Sequence, residues 1–246
     1  MGRYFRADMH RIFRRIPRYI VLALLLGLLG YIMYSATKED ITIYQLVDVL
    51  VKAVPYVSAA FGLIEYIYVF AEDFKAKTMQ IAIGTGISRR KVVMTKWFEC
   101  GFLCVVDYAV LIALIFAAGG INGISFAGDP AIDVYLLFLF GWIKTFVCIG
   151  FTMILVFRVQ ATTGGMLLYL ALCAGVVKLL LETVLDINAL KPLGLSSLLF
   201  SNLIDTARSR AILGTFSAPH IAGIVIYAVA CSIAAWLLFK KRELEF

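Results

Sequence analysis

Long apolar runs separated by short polar breaks set the pattern of this 246-residue chain. Six of them, roughly Tyr19 to Ala36, Ala53 to Ala71, Phe98 to Ala118, Val134 to Phe157, Met166 to Leu185 and His220 to Phe239, approach the ~20 residues needed to cross ~30 Å of hydrocarbon. Each is therefore predicted to be a membrane-spanning helix, because a helix alone satisfies its own backbone in lipid. Residues 37–52 form a polar outer segment whose Ile41, Ile43, Leu46, Val47 and Leu50 are expected to lie along the surface before Pro55 opens the second span. A further apolar block, Leu193 to Ile204, is bracketed by Pro192 and Asp205 and is too short to span. It predicts a re-entrant or interfacial segment within 186–219. Residues 1–18 read differently. Phe5, Met9, Ile12, Phe13 and Ile16 fall on one helical face and six arginines occupy most of the rest, the pattern of an amphipathic helix lying in the interface. The following apolar run is too long for a signal peptide, and Tyr34 spoils the small-residue cleavage pattern, so it reads as a retained first helix.

Composition agrees with this layout: 62% of residues are hydrophobic and 16% charged, far from soluble domains. The net charge of +7 comes from where the positive residues fall. With both termini inside, 16 of the 23 Lys and Arg residues lie on inner segments and 5 on outer ones, which makes both termini cytoplasmic. That placement accounts for the basic balance without nucleic acid as a partner. The fold class is an all-α, multi-pass integral membrane protein with six spans, built as a single domain over 1–246.

The longest polar interruption, residues 72–97, carries six basic residues between the second and third spans. Gly84 and Gly86 break a helix there, and Ser88 can cap a new one beginning at Arg89, Arg90 and Lys91. The predicted shape is a short helix, a glycine bend and a basic second helix. Glu72, Lys77-Thr78, Gly84-Thr85-Gly86-Ile87-Ser88-Arg89 and Lys96 together resemble the first cytoplasmic loop of type-2 ABC permeases, the membrane subunits of ATP-driven exporters. That resemblance implies that Glu72, Lys77, Gly84, Thr85, Arg89 and Lys96 form a coupling loop docked on a separate ATPase subunit, with ATP and Mg held there and no cofactor on this chain. An ordinary positive-inside loop would carry the same charges. The resemblance further implies a dimer with itself or a sister permease, an N-terminal elbow helix touching the ATPase, short outer helices capping the exit, and a bacterial-type plasma membrane. Substrates of the family range over peptides, drugs, lipids, ions and polysaccharides, and permeases of this size often serve peptide export or immunity to antimicrobial peptides.

Ionisable residues inside spans are costly and need partners or water. Glu65, Asp107, Lys144, Lys178 and Glu182 are such residues. Asp107 and Lys144 fall at similar depths, about 15 Å from the start of their helices, and are expected to neutralise each other. Lys178 and Glu182 are four apart and can pair along one face. Glu65 has no evident partner. Glu65 and Asp107 either line a polar cavity or are carboxyls bonded inside the bundle.

Catalytic chemistry is not legible. The chain has no GxxxxGK[ST] phosphate loop, so it cannot be its own ATPase, and His10 and His220 make no zinc motif. The five cysteines are scattered through the spans and form no CxxC pair. A proton-driven secondary transporter using Glu65, Asp107 and Glu182, and a non-transporting scaffold subunit, are the rival readings to an exporter permease.

Overall fold

The computed structural model describes residues 2–37, 42–75, 78–124, 128–187 and 191–241, and among them every regular element is helical. The helices are α1 (Gly2–Phe13), α2 (Ile16–Thr37), α3 (Ile43–Tyr66), α4 (Glu72–Lys75), α5 (Thr78–Gly84), α6 (Arg89–Ile121), α7 (Asp129–Val159), α8 (Thr162–Cys173), α9 (Val176–Leu185), α10 (Phe200–Ile212) and α11 (Ala218–Lys240). A π-helical turn, Ile67–Ala71, joins α3 to α4. The second expected span therefore runs without a break from Ile43 to Ala71.

Among the described residues four helical stretches are long and apolar enough to cross a membrane: Ile43–Ala71, Arg89–Ile121, Asp129–Val159 and Ala218–Lys240. The α8–α9 pair is long and apolar enough only when taken together, and its 65° bend is that of a broken span or a re-entrant loop. Ile16–Ile32 within α2 is a shorter apolar helix. The molecule is thus a multi-pass helical membrane protein, with four or five candidate spans among the described residues. The break in the expected Met166–Leu185 span falls at Gly175, whose φ of 78° takes the chain through the left-handed region that glycine tolerates.

Two other boundaries differ from expectation. Pro55 does not open the second span; it sits inside α3, which begins at a Thr42–Gln45 capping box well upstream. The missing proline N–H costs one ladder bond, which an apolar helix packed on its neighbours tolerates. Asp205 does not end the apolar outer block either. Short 3₁₀ turns, Lys191–Leu193 and Leu195–Leu198, lead into α10, which runs through Asp205 to Ile212. Its Leu203, Ile204 and Ala207 are buried against Phe140, Val147 and Ile224, so Asp205 and Arg208 belong to the other faces of an amphipathic helix.

Helix α7 is the hub, packing against α3, α6, α8, α10 and α11. Its contact with α6 is aromatic. Trp97 stacks on Phe146 at 4.2 Å, Trp142 stacks on Phe146 at 5.6 Å, and the indoles donate to Phe146 O (3.0 Å) and Gly101 O (2.9 Å). Gly101 leaves the room Phe146 occupies. On the opposite side, α3 approaches α7 and α8 at Gly62, where a Cβ would collide with Tyr169 and Thr145. Tyr169 is fixed there by donating to Ser58 O at 2.6 Å. Gly62→Val is therefore expected to destabilise the fold by about 1–3 kcal/mol through overpacking. Gly120→Val, whose Cβ meets nothing within 4 Å, is the matched control. Thermal unfolding of the two variants in detergent checks the difference.

Candidate functional site

Most of the side chains singled out from sequence fall into two buried charge clusters, an elbow formed by the bend between α5 and α6, and an ion group at the opposite end of the bundle; Lys144 stands apart from them. The first cluster centres on Arg18. Its α2 face buries Arg18, Leu22 and Leu26 at a spacing of four while Leu24, Leu28 and Tyr31 stay exposed, as expected for one helical stripe facing the bundle. The Arg18 guanidinium donates from Nε (3.0 Å) and Nη2 (2.6 Å) to Glu65 Oε1, and Nη2 also reaches Asp107 Oδ1 at 3.2 Å. All three side chains are at most 1% exposed. Phe13 and Tyr19 rings lie 5.9 and 5.5 Å from the guanidinium carbon. Glu65 thus has a partner, and it comes from the helix that follows the amphipathic segment. Arg18 does not face lipid headgroups.

The expected Asp107–Lys144 pair does not form. Lys144 donates instead to Cys173 O at 3.5 Å. That carbonyl belongs to the last turn of α8, which the break at Gly175 leaves without a continuing ladder. Equal depth did not bring the two together because they point different ways. Trp142 turns toward α6, and two residues later the helix has rotated by about 200°, which aims Lys144 at α8.

The second cluster ties α1 to α4, just beyond the π turn that follows α3, and to α6. Lys96 pairs with Asp8, with Asp73 and, at 3.2 Å, with Glu99. Arg11 pairs with Asp73 and, at 2.6 Å, with Asp8. Lys96, Asp73 and Glu99 are almost completely buried. So the Lys96 ammonium faces this chain's own carboxylates and is not on the surface of the loop. Burial alone would raise the Asp8 pKa, but Lys96 and Arg11 outweigh it and hold the carboxyl below its ordinary value.

The π turn explains how one helix serves both clusters. Glu65 and Asp73 are eight residues apart, which puts them about 80° out of register on a regular helix; a π turn absorbs one residue, so they act as about seven apart and share a face. Asp8 and Asp73 escaped the sequence reading. The signal for Asp8 was present: it is the sole acid in residues 1–18 and falls between Phe5 and Ile12 on the apolar face, where a charge needs a cation. Nothing in the sequence marks the π turn that aims Asp73.

The elbow takes the expected form. Gly84 ends α5, Gly86 has a φ of 92°, and the Ser88 hydroxyl accepts from Lys91 N at 3.4 Å to start α6. Thr85 Oγ1 donates to Ala82 O at 2.8 Å. Arg89 donates to Phe239 O (2.8 Å) and Lys240 O (3.1 Å), so the end of α11 is bound to the elbow through its open carbonyls. Ile81, Thr85, Gly86, Arg90 and Lys91 are exposed. Glu72 opens α4, and Lys77 lies outside the described residues.

At the opposite end of the bundle Lys178 pairs with Glu182 at 3.9 Å as expected, and α10 adds Asp205 at 3.3 Å; Asn202 donates to Glu182 at 2.8 Å. Among the described residues no group of His, Cys, Asp and Glu could hold a metal ion, and the five cysteines are free and buried. The chain matches no protein-family model and no curated protein.

Removing a buried cation strands its partners. Arg18→Met is expected to cost about 3–5 kcal/mol of stability, whereas Lys144→Met, losing one long bond, costs under about 1.5 kcal/mol; denaturation in mixed micelles checks the order. For Asp8 the folded pKa is depressed, so its contribution is present above the unfolded value of about 3.9 and is lost as pH falls through the lower folded value. Hydrogen-exchange protection of α1 should hold from pH 7 to 5 and fall only below about pH 4. Asp8→Asn should lose it already at pH 7.

Proposed function

We propose that the chain is the membrane-spanning permease subunit of an ATP-driven exporter of the type-2 ABC class. In this reading α2 and the α8–α9 pair complete six spans in a bacterial-type plasma membrane, with both termini cytoplasmic. Two such subunits, or one with a sister permease, form the pathway, and ATP and Mg act on a separate ATPase subunit. The cargo is a peptide-, drug- or lipid-like molecule moved outward, antimicrobial peptides included.

One observation carries the reading: the elbow between α5 and α6. It offers an exposed apolar residue, Ile81, on α5 and the exposed cations Arg90 and Lys91 at the start of α6, on the two sides of a tightly bonded bend. Force applied there has a stiff route. The Ser88-capped α6 continues for 33 residues, about 50 Å, with no interruption. Arg89 links the same bend to the end of α11, and the Lys96 cluster links it to α1. A push on the elbow would therefore tilt α6, α11 and the amphipathic α1 as one body, which is what alternating access driven from outside the membrane requires.

The Arg18 cluster favours a second reading. One guanidinium faces two carboxyls, and among the described residues Asp107 Oδ2 has no hydrogen-bond partner, an arrangement suited to a proton-coupled transporter. The two readings separate in one experiment. The chain, extracted gently from its native membrane, should bring an ATPase subunit with it. Arg90→Glu with Lys91→Glu should reduce that co-elution at least tenfold while leaving the permease folded. Absence of any ATPase subunit, together with transport that collapses on adding a protonophore, would replace the exporter with the proton-driven carrier.

A further inference from the structure

The bend between α8 and α9 opens a groove of about 480 Å³ walled by α7, α8, α9, the start of α10 and α11. That volume is in the range of small-molecule sites. Phe151, Leu172, Leu181, Phe200 and Tyr227 make the wall almost entirely hydrocarbon. The Tyr227 hydroxyl is already spent on Leu198 O at 3.0 Å, so the ring is what it presents. Cations stand toward the two ends, and they differ in kind. Lys178 is neutralised by Glu182 and Asp205. Arg158, in the last turn of α7, is exposed and has no hydrogen-bond or ion-pair partner among the described residues.

Length and position add a second argument. The Arg158 end lies on the side of the bundle that holds the elbow, since Tyr66 donates to Thr162 O at 2.8 Å and Phe157 packs on Phe239. From there to the bend, α8 spans 12 residues, about 18 Å. One leaflet of a bilayer contributes about 15 Å of hydrocarbon. The straight part of the groove therefore matches a single leaflet, with a free guanidinium at headgroup level and no free charge at mid-depth.

The geometry points to a binding site for one anionic phospholipid of the elbow-side leaflet, its phosphate on Arg158 and one acyl chain laid along α8 to the bend. A guanidinium suits the phosphate because it donates two parallel N–H groups, and basic residues at the membrane surface draw anionic lipid. The charge pattern sets the direction in which the lipid lies. A zwitterionic lipid or a neutral amphiphile would gain the apolar walls and lose the preference. This inference stands apart from the exporter reading, since it uses neither the elbow surface nor the Arg18 cluster.

The test uses the full chain in phosphatidylcholine nanodiscs doped with phosphatidylglycerol that carries a photoactivatable diazirine in one acyl chain. Light-induced adducts are mapped by mass spectrometry. Adducts should concentrate on Leu172, Phe151 and Phe200, at least fivefold above those from a phosphatidylcholine probe of the same chain. Arg158→Gln, a change at an exposed side chain, should bring the two probes to the same level. Leu168→Trp, which fills the groove from α8, should remove groove adducts from both while the unfolding temperature stays within a few degrees. Equal labelling by the two probes, no response to Arg158→Gln, or adducts no denser in the groove than on exposed Leu24 and Leu28 of α2 would overturn the assignment. An unlabelled groove in every sample, as a covering second copy would produce, would overturn it too.

Discussion

An arginine sealed inside an apolar helix bundle imposes the strongest condition on this fold. The Arg18 guanidinium is 1% exposed, and a charge in that setting persists only with close counter-charges and nearly all of its donors engaged. Glu65 of α3 and Asp107 of α6 supply them. Helix α2 packs mainly along α6 and touches α3 little, so the ion cluster is what ties this helix to α3 and holds its Arg18 face toward the bundle. The residues exposed on the far side of α2, Leu24, Leu28 and Tyr31, then face outward to hydrocarbon.

That condition propagates along α3. The π turn brings Glu65 and Asp73 onto one face, so the helix that meets Arg18 at one level meets Arg11 and Lys96 at another. The result is a ladder of charges that joins α1, α2, α3, α4 and α6 and runs from the elbow end of the molecule to the middle of α6. Around it the rest of the bundle is held by aromatic stacking and close approach at glycine: Trp97 on Phe146, and Gly62 against Tyr169. Polar contacts tie down the elbow, and hydrocarbon contacts dominate around α8, α9 and α11, which is where the lipid-sized groove opens.

Much of this was legible in the sequence. Hydropathy marked the long helices, periodicity marked α1, and Ser88 with Gly84 and Gly86 marked the elbow, because each of these is a local signal read over a few residues. Partner choice was not legible. Depth along a helix can be counted from sequence, and it placed Asp107 and Lys144 level; azimuth depends on which face a neighbour covers, and Trp142 had already claimed the α6 side. Breaks were only partly legible. Gly175 lies in an apolar run where glycine is common, so its left-handed turn gave no signal, and Pro55 suggested a helix start that the Thr42 cap had already supplied upstream. The π turn has no sequence mark at all, and with it went Asp73.

The claim that Arg18 and Glu65 act as one unit is tested most directly by a double-mutant cycle. Unfolding free energies would be measured for Arg18→Met, Glu65→Met and the double variant in one micelle system. The double variant is expected to lose at least about 1 kcal/mol less than the two single losses combined, since Arg18→Met strands Glu65 and Asp107 together, whereas the double variant leaves Asp107 alone without its cation. Losses that add to within about 0.5 kcal/mol would mean the two groups do not interact and would contradict it.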